Sequence, residues 1–252
     1  MPLSANTLIH FTAQKETLKQ ILGDNFQIFN CKETVVLGGV ASSWYLPMVS
    51  FCDIPLSEVK NHISKYGSYG IGLTKEWGLR QGLNPVLYVA QESMLSTSYH
   101  KAWRHFNIDS DSSNDKDIDD WSPEQRALGD VLRYMKNYEA DLTRKGKTIK
   151  NYRFSDEREW RYAPPNTESC EMLLSEEYYD FEDNKVEADK KLKNLRLKFE
   201  PNDIKYIIIN NDSEIAEFID HLRRAKGKNY SLHDLERLNT RILTAEQIKS
   251  DI

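Results

Sequence analysis

Apolar residues recur along this chain with two different periods, and the alternation between them predicts a mixture of helices and strands. Leu18, Ile21 and Leu22 share one face of a helix predicted over 13–23, with Thr12 as its N-cap and Gly23 as its stop. Just before it, Leu8-Ile9-His10-Phe11 reads as a short strand. Pro47 to Cys52 reads as another, ended by Asp53-Ile54-Pro55. Ser57 is placed to cap a helix whose inner face carries Val59, Ile63 and Tyr66. Glycines 67, 70 and 72 break that periodicity and lead into a strand around Ile71–Thr74, and Pro85–Val89 forms a further β-type run.

In the second half, Ser122-Pro123-Glu124-Gln125 is a capping box with proline in the first turn. The helix it opens is predicted to carry Leu128, Val131, Leu132, Met135 and Leu142 as one buried stripe. The basic run Arg144-Lys145-Gly146-Lys147 ends it. Tyr152–Tyr162 returns to strand, and the charged stretch 176–196 reads as an exposed helix or connector. Leu195–Phe199 and Ile204–Ile209 are predicted strands joined by the Pro201-Asn202-Asp203 turn. Asp212 or Ser213 caps a helix to about Ala225, and helices resume from Ser231. Without a regular strand–helix–strand rhythm, the class is α+β. One domain over 1–226 is expected, with an exposed acidic loop at about 107–121 and a helical tail over 227–252.

Composition narrows the function classes. At 252 residues and 39% hydrophobic content the chain can bury a core, and no apolar run is long enough for a transmembrane helix. Its first residues lack the pattern of a secretory signal. Three widely spaced cysteines, Cys31, Cys52 and Cys170, suit neither a disulfide framework nor a zinc knuckle, so a reducing, cytoplasmic setting is expected. A net charge of -5 argues against a broad basic surface for nucleic acid, though not against a local cleft. The glycines of Tyr66–Gly72 form neither a dinucleotide nor a P-loop fingerprint, and His100 and His105 are five apart, off one helix face.

Three segments could carry chemistry: Ile9–Thr12, Val49–Asp53 and Asp156–Arg161. The stretch PMVSFCDIPLSEVKNHISKYGSYGIGLTKEWGLRQGLNPVLYV, from Pro47 to Val89, resembles the AbiGi abortive-infection proteins of bacterial phage defence. The opening LIHFTAQKETLKQIL and the later DEREWRY fit the same family, and the likeness spans residues 8–222. His-x-Thr followed by Leu-x-x-Ile-Leu also resembles the start of DarT-like ADP-ribosyltransferases. That resemblance implies central split antiparallel or mixed β-sheets flanked by helices, and an enzyme that transfers ADP-ribose from NAD. Carried over, it makes His10 and Glu159 catalytic, with His10, Thr12, Ser50, Phe51, Tyr66 and Tyr69 around NAD. No metal is implied.

The chemistry would explain those residue types. Breaking the nicotinamide–ribose bond develops positive charge on the sugar, which a carboxylate stabilises in the transition state. On a strand over 156–162, Glu157, Glu159 and Arg161 would share a polar face open to a cleft, while Arg158, Trp160 and Tyr162 would face the other way. Either Glu157 or Glu159 could be the catalytic carboxylate; the Glu-Trp-Arg unit favours Glu159. Plainer readings stand beside these. His10 can be a packed strand-end histidine, Tyr66 and Tyr69 core aromatics, and Glu157, Glu159 and Arg161 a charge cluster. Lys75 and Arg80 read as solvated charges.

The resemblance therefore implies a phage-defence toxin whose acceptor is nucleic acid, RNA before DNA. A cognate antitoxin, a SecB-like chaperone and no membrane would complete its partners. A rival reading comes from the same family likeness: AbiGi proteins are also described as antitoxins, so the chain could be a non-catalytic module that restrains a toxin. A toxin that modifies protein, or one that hydrolyses NAD, is a further alternative.

Overall fold

The protein, as a computed structural model, is described over residues 5–107, 121–144, 146–167, 170–227 and 230–251. The acidic stretch 109–120 lies outside these residues. The chain folds into two compact units. The first comprises residues 1–27, 49–84 and 195–252, and the second residues 28–48 and 85–194.

From the N-terminus come β1 (Thr7–Thr12), α1 (Lys15–Asp24), β2 (Phe26–Gln27), β3 (Phe29–Leu37) and β4 (Val40–Cys52). Next are α2 (Val59–Tyr66), β5 (Tyr69–Thr74), α3 (Lys75–Arg80), β6 (Asn84–Pro85), β7 (Leu87–Val89) and α4 (Met94–Asn107). The middle holds α5 (Pro123–Arg133), β8 (Met135–Asn137), β9 (Glu139–Arg144), β10 (Lys147–Arg153), β11 (Glu159–Tyr162) and β12 (Leu174–Ser175). Then come α6 (Glu176–Tyr179), α7 (Glu182–Leu192), β13 (Arg196–Leu197) and β14 (Ile204–Ile209). Last are α8 (Ile215–Lys226), α9 (Leu232–Asn239), β15 (Ile242–Thr244) and α10 (Ala245–Asp251). The class is mixed α+β, as the irregular alternation predicted.

In the first unit, β1 lies between β5 and the end of β4, antiparallel to both, with His10 opposite Ile71 and Ile9 opposite Cys52. β14 continues this sheet on β5, antiparallel, and β15 runs parallel to β14. The run Ile207-Ile208-Ile209 is fully buried, which is why it shows no alternation. Ile9, Val59, Ile63, Ile208, Ala245 and Ile248 pack into one apolar cluster. The segment after Gly227 thus supplies core residues to this unit.

In the second unit β3 and β4 form a long hairpin closed by Gly38 and Gly39. Both glycines have positive φ, 58° and 80°, as a two-residue turn of this hand requires. Val35, Leu37, Leu46, Val89, Tyr99, Leu132 and Met172 are among the residues of its core.

The predicted long helix from Ser122 is shorter than its stripe suggested. The capping box forms as read, but the helix ends at Arg133, Val131 is exposed, and Met135 sits on a strand. Residues 139–144 and 147–153 form an antiparallel ribbon with Arg144 opposite Lys147, so Arg144 and Lys147 lie on paired strands and do not stop a helix. Thr12 and Ser57 do not cap: the residue before α1 is Gln14, and a 3-10 turn over Leu56–Glu58 leads into α2. The strand expected over 152–162 is broken by a 3-10 turn at Phe154–Glu157 and by Arg158, whose φ is 45°.

Candidate functional site

The predicted site residues divide between the two units. His10, Thr12, Ser50, Phe51, Tyr66 and Tyr69 belong to the first, and Glu159 to the second. Within the first, each has a local structural contact. His10 Nδ1 lies 2.9 Å from the Ser50 carbonyl oxygen. Its ring meets Phe26 edge-on and Phe51 at a tilt, and Phe26 and Phe51 extend the contact to Trp77. Burial lowers the His10 pKa below its ordinary 6.5, against the opposing pull of the Ser50 carbonyl. Tyr66 stacks with Phe11 and His62. Tyr69 donates its hydroxyl hydrogen to Glu214 at 2.9 Å. Thr12 Oγ1 accepts from the Gln14 amide at 3.4 Å.

The first unit has a cavity of about 280 Å³ lined in part by Thr7, Ile9, Leu56 and Tyr206, and a shallow hollow around Asn210–Ser213. None of the six predicted residues lines either.

The second unit holds the denser chemistry. A cleft of about 960 Å³ is lined by Lys32–Thr34 and Val36 of β3, Lys136 and Asn137 of β8, and Glu139–Thr143 of β9. Lys136 and Glu33 belong both to this lining and to a buried charge cluster. Lys136 Nζ is 2.9 Å from Glu159, 3.6 Å from Glu157 and 4.0 Å from Glu33. It also lies over the Phe154 ring, 4.8 Å from the centroid. The fully buried Arg161 donates from Nε to Glu159 at 2.9 Å and from Nη1 to the Arg133 carbonyl at 2.7 Å. Its Nη2 is 3.4 Å from Glu33. Tyr152 donates to Glu157, and the Glu159 amide donates to the Tyr88 hydroxyl oxygen at 2.8 Å.

This arrangement corrects the expected open polar face: Glu157, Glu159 and Arg161 are buried and paired with one another or with Lys136. Burial pushes the Glu159 carboxyl up, but Arg161 and Lys136 outweigh it and bring its pKa down to about 2. Burial pushes Lys136 down, yet Glu159, Glu33 and Glu157 hold it well above the usual lysine range. Lys136 and Arg161 together already compensate the Glu159 carboxylate, leaving little of its charge for a further cation. The cluster works as fixed charge tying β3, β8, β11 and the 154–157 turn together.

Sequence reading missed Glu33, Lys136 and Tyr88. Glu33 lies in a strand with no strong apolar alternation, and Lys136 was assigned to a helix. Among the described residues, no group of three or more His, Cys, Asp or Glu is placed to hold a metal ion, and no helix is long and apolar enough to cross a membrane.

A family model described as "Putative abortive phage resistance protein AbiGi, antitoxin" matches residues 15–210. The abortive phage resistance protein AbiGi of Lactococcus lactis subsp. cremoris is 28% identical over 229 residues, a match covering 82% of this chain and 89% of that protein. No solved structure matches. The family description overturns the expectation of an ADP-ribosyltransferase: it names an antitoxin, not an enzyme.

Proposed function

Because the chain belongs to the AbiGi family of abortive phage resistance proteins, we propose that it is the antitoxin of an abortive-infection pair, a binding module that restrains a toxin and performs no chemistry of its own. The observation that carries this reading is the state of Glu159. Its carboxylate is bonded to both Arg161 and Lys136 and held ionised in a buried cluster. Perturbed ionisation of this kind also marks structural ion-pair networks. A buried network of mutually neutralising groups gives a rigid scaffold with a defined arrangement of strands, which suits a protein whose work is to present a surface. The partner in this reading is a protein toxin.

The test is genetic. Deleting this chain from its native locus while leaving the neighbouring genes intact is expected to arrest growth, and supplying it from a plasmid should restore growth. Growth arrest on expressing this chain alone, or a harmless deletion, would contradict the antitoxin role.

A further inference from the structure

Strand β3 has one paired edge and one open edge. Its register with β4 closes at Leu37 opposite Val40 across a two-residue turn, so the odd-numbered residues 31, 33, 35 and 37 exchange main-chain hydrogen bonds with β4. The amides and carbonyls of Lys32, Thr34 and Val36 therefore point away from β4. At Val36 both groups are satisfied by one side chain: the amide donates to Asn137 Oδ1 at 2.8 Å, and Asn137 Nδ2 donates to the Val36 carbonyl at 3.0 Å. An asparagine amide here takes the place of a neighbouring strand. Lys32 and Thr34 pair with no further strand among the described residues.

Both residues line the cleft, and the other wall is a second open edge. Among the described residues β9 pairs with no strand but β10, with Arg144 opposite Lys147, and Thr143 lies opposite Thr148 as a side-chain pair at 2.9 Å. The main-chain groups of Asp141 and Thr143 thus face away from β10. Toward its start this edge is again closed by a side chain, with Gln91 donating to the Glu139 carbonyl at 3.2 Å. The cleft is walled by two short lengths of unpaired strand, each stopped by an amide side chain.

Its charge is negative. Its lining carries four carboxylates, Glu33, Glu92, Glu139 and Asp141, against the two cations Lys32 and Lys136. Glu92 and Glu139 line the cleft and form no ion pair among the described residues, whereas Lys32 and Asp141 are already paired with Glu176 and Lys150. An open edge exposes main-chain donors and acceptors that an extended chain satisfies without regard to sequence, while nearby side chains set which sequences are accepted.

We propose that the open edge of β3 at Lys32–Thr34, within this acidic cleft, receives an extended basic segment of the partner toxin as an added β-strand. The assignment of that segment to a toxin rests on the antitoxin reading; the groove and its preference for a basic extended chain do not.

The test uses the purified full-length chain and a fluorescent probe, acetyl-Val-Lys-Val-Lys-Val-Lys-amide, followed by anisotropy. The lysine peptide should bind. Its alternately N-methylated analogue, which keeps the charge but cannot pair along an edge, should bind at least about tenfold more weakly, as should the glutamate version. Thr34→Pro, which removes an outward amide, and the charge-reversal variant Glu92→Lys/Glu139→Lys should each weaken binding by about tenfold or more. Because the N-methyl comparison uses the unaltered protein, misfolding of Thr34→Pro would not blunt it. Equal binding of the methylated and parent peptides, or no binding of the parent at about 1 mM, overturns the proposal.

Growth assays separate the two readings. If the unaltered chain protects cells and the double charge variant protects equally, the groove assignment fails and the antitoxin role stands. If the chain gives no protection yet binds the peptide through this edge, the groove stands without that role.

Discussion

Glu159 shows how much a residue's neighbours add to what its type tells. A strand glutamate beside tryptophan and arginine can be a catalytic carboxylate or half of an ion pair. Here it pairs with two cations, each at 2.9 Å. Glu159→Gln removes the negative charge but keeps the shape, leaving Arg161 and Lys136 under-compensated. We expect a loss of about 3 kcal/mol in unfolding free energy, read by urea denaturation. The pH dependence follows from the same contact. The folded-state pKa of about 2 lies below the ordinary 4.5, so the contribution is fully present above about 4.5 and is lost as pH falls toward 2. The stability gap between the native protein and Glu159→Gln should therefore narrow across that window. A gap that stays constant would show that the charge pairs contribute nothing. His10 is the counterpart in the first unit, an imidazole packed against two aromatic rings that also touch each other, with a carbonyl at 2.9 Å.

At the scale of elements, the places where periodicity predicted well are those with one buried face. α1 buries Leu18, Ile21 and Leu22, and α2 buries Val59 and Ile63, as their spacing required, while Tyr66 of the same face is half-buried. The ribbon of β9 and β10 was misread because Leu142 continues a helical spacing from Leu132 and Met135, and nothing in the period says that the helix has already ended. The signal that separates the readings is local: Thr143, Thr148 and Ile149 flank a Lys-Gly pair, a composition suited to a tight hairpin. Gly67 carries a similar local demand. It ends α2 with φ 123°, and an added Cβ would lie 2.4 Å from the Thr12 carbonyl oxygen and from the Ala13 Cα. Gly67→Ala is expected to cost more than about 3 kcal/mol, because backbone cannot yield as a side chain can. A thermal midpoint close to that of the native protein would refute this.

For the whole molecule, each unit is assembled from segments distant in sequence. Residues 1–27, 49–84 and 195–252 build one, and 28–48 and 85–194 build the other. The final segment is integral to its unit: Leu235, Leu238, Ala245 and Ile248 are buried, and β15 pairs along β14 from Ile207 to Ile209. Truncation after Gly227 uncovers that strand and removes several buried aliphatic groups, each worth about 1.5–3 kcal/mol. We expect an insoluble or largely unfolded product. A soluble truncated chain with cooperative unfolding near the native midpoint would mean that these residues are dispensable.

The amino-acid sequence alone determined the α+β class, the short amphipathic helices, the capping box at Ser122 and the likeness to a phage-defence family, because periodicity, caps and local motifs involve residues close together along the chain. Tertiary structure alone set the surroundings of the candidate residues. The Glu159 carboxylate meets a lysine 23 residues before it, and Arg161, its local partner, also meets Glu33 from another strand. Whether a strand edge is paired or open depends on which strand lies beside it. Those contacts join segments far apart in the sequence, and no local pattern encodes which of them meet.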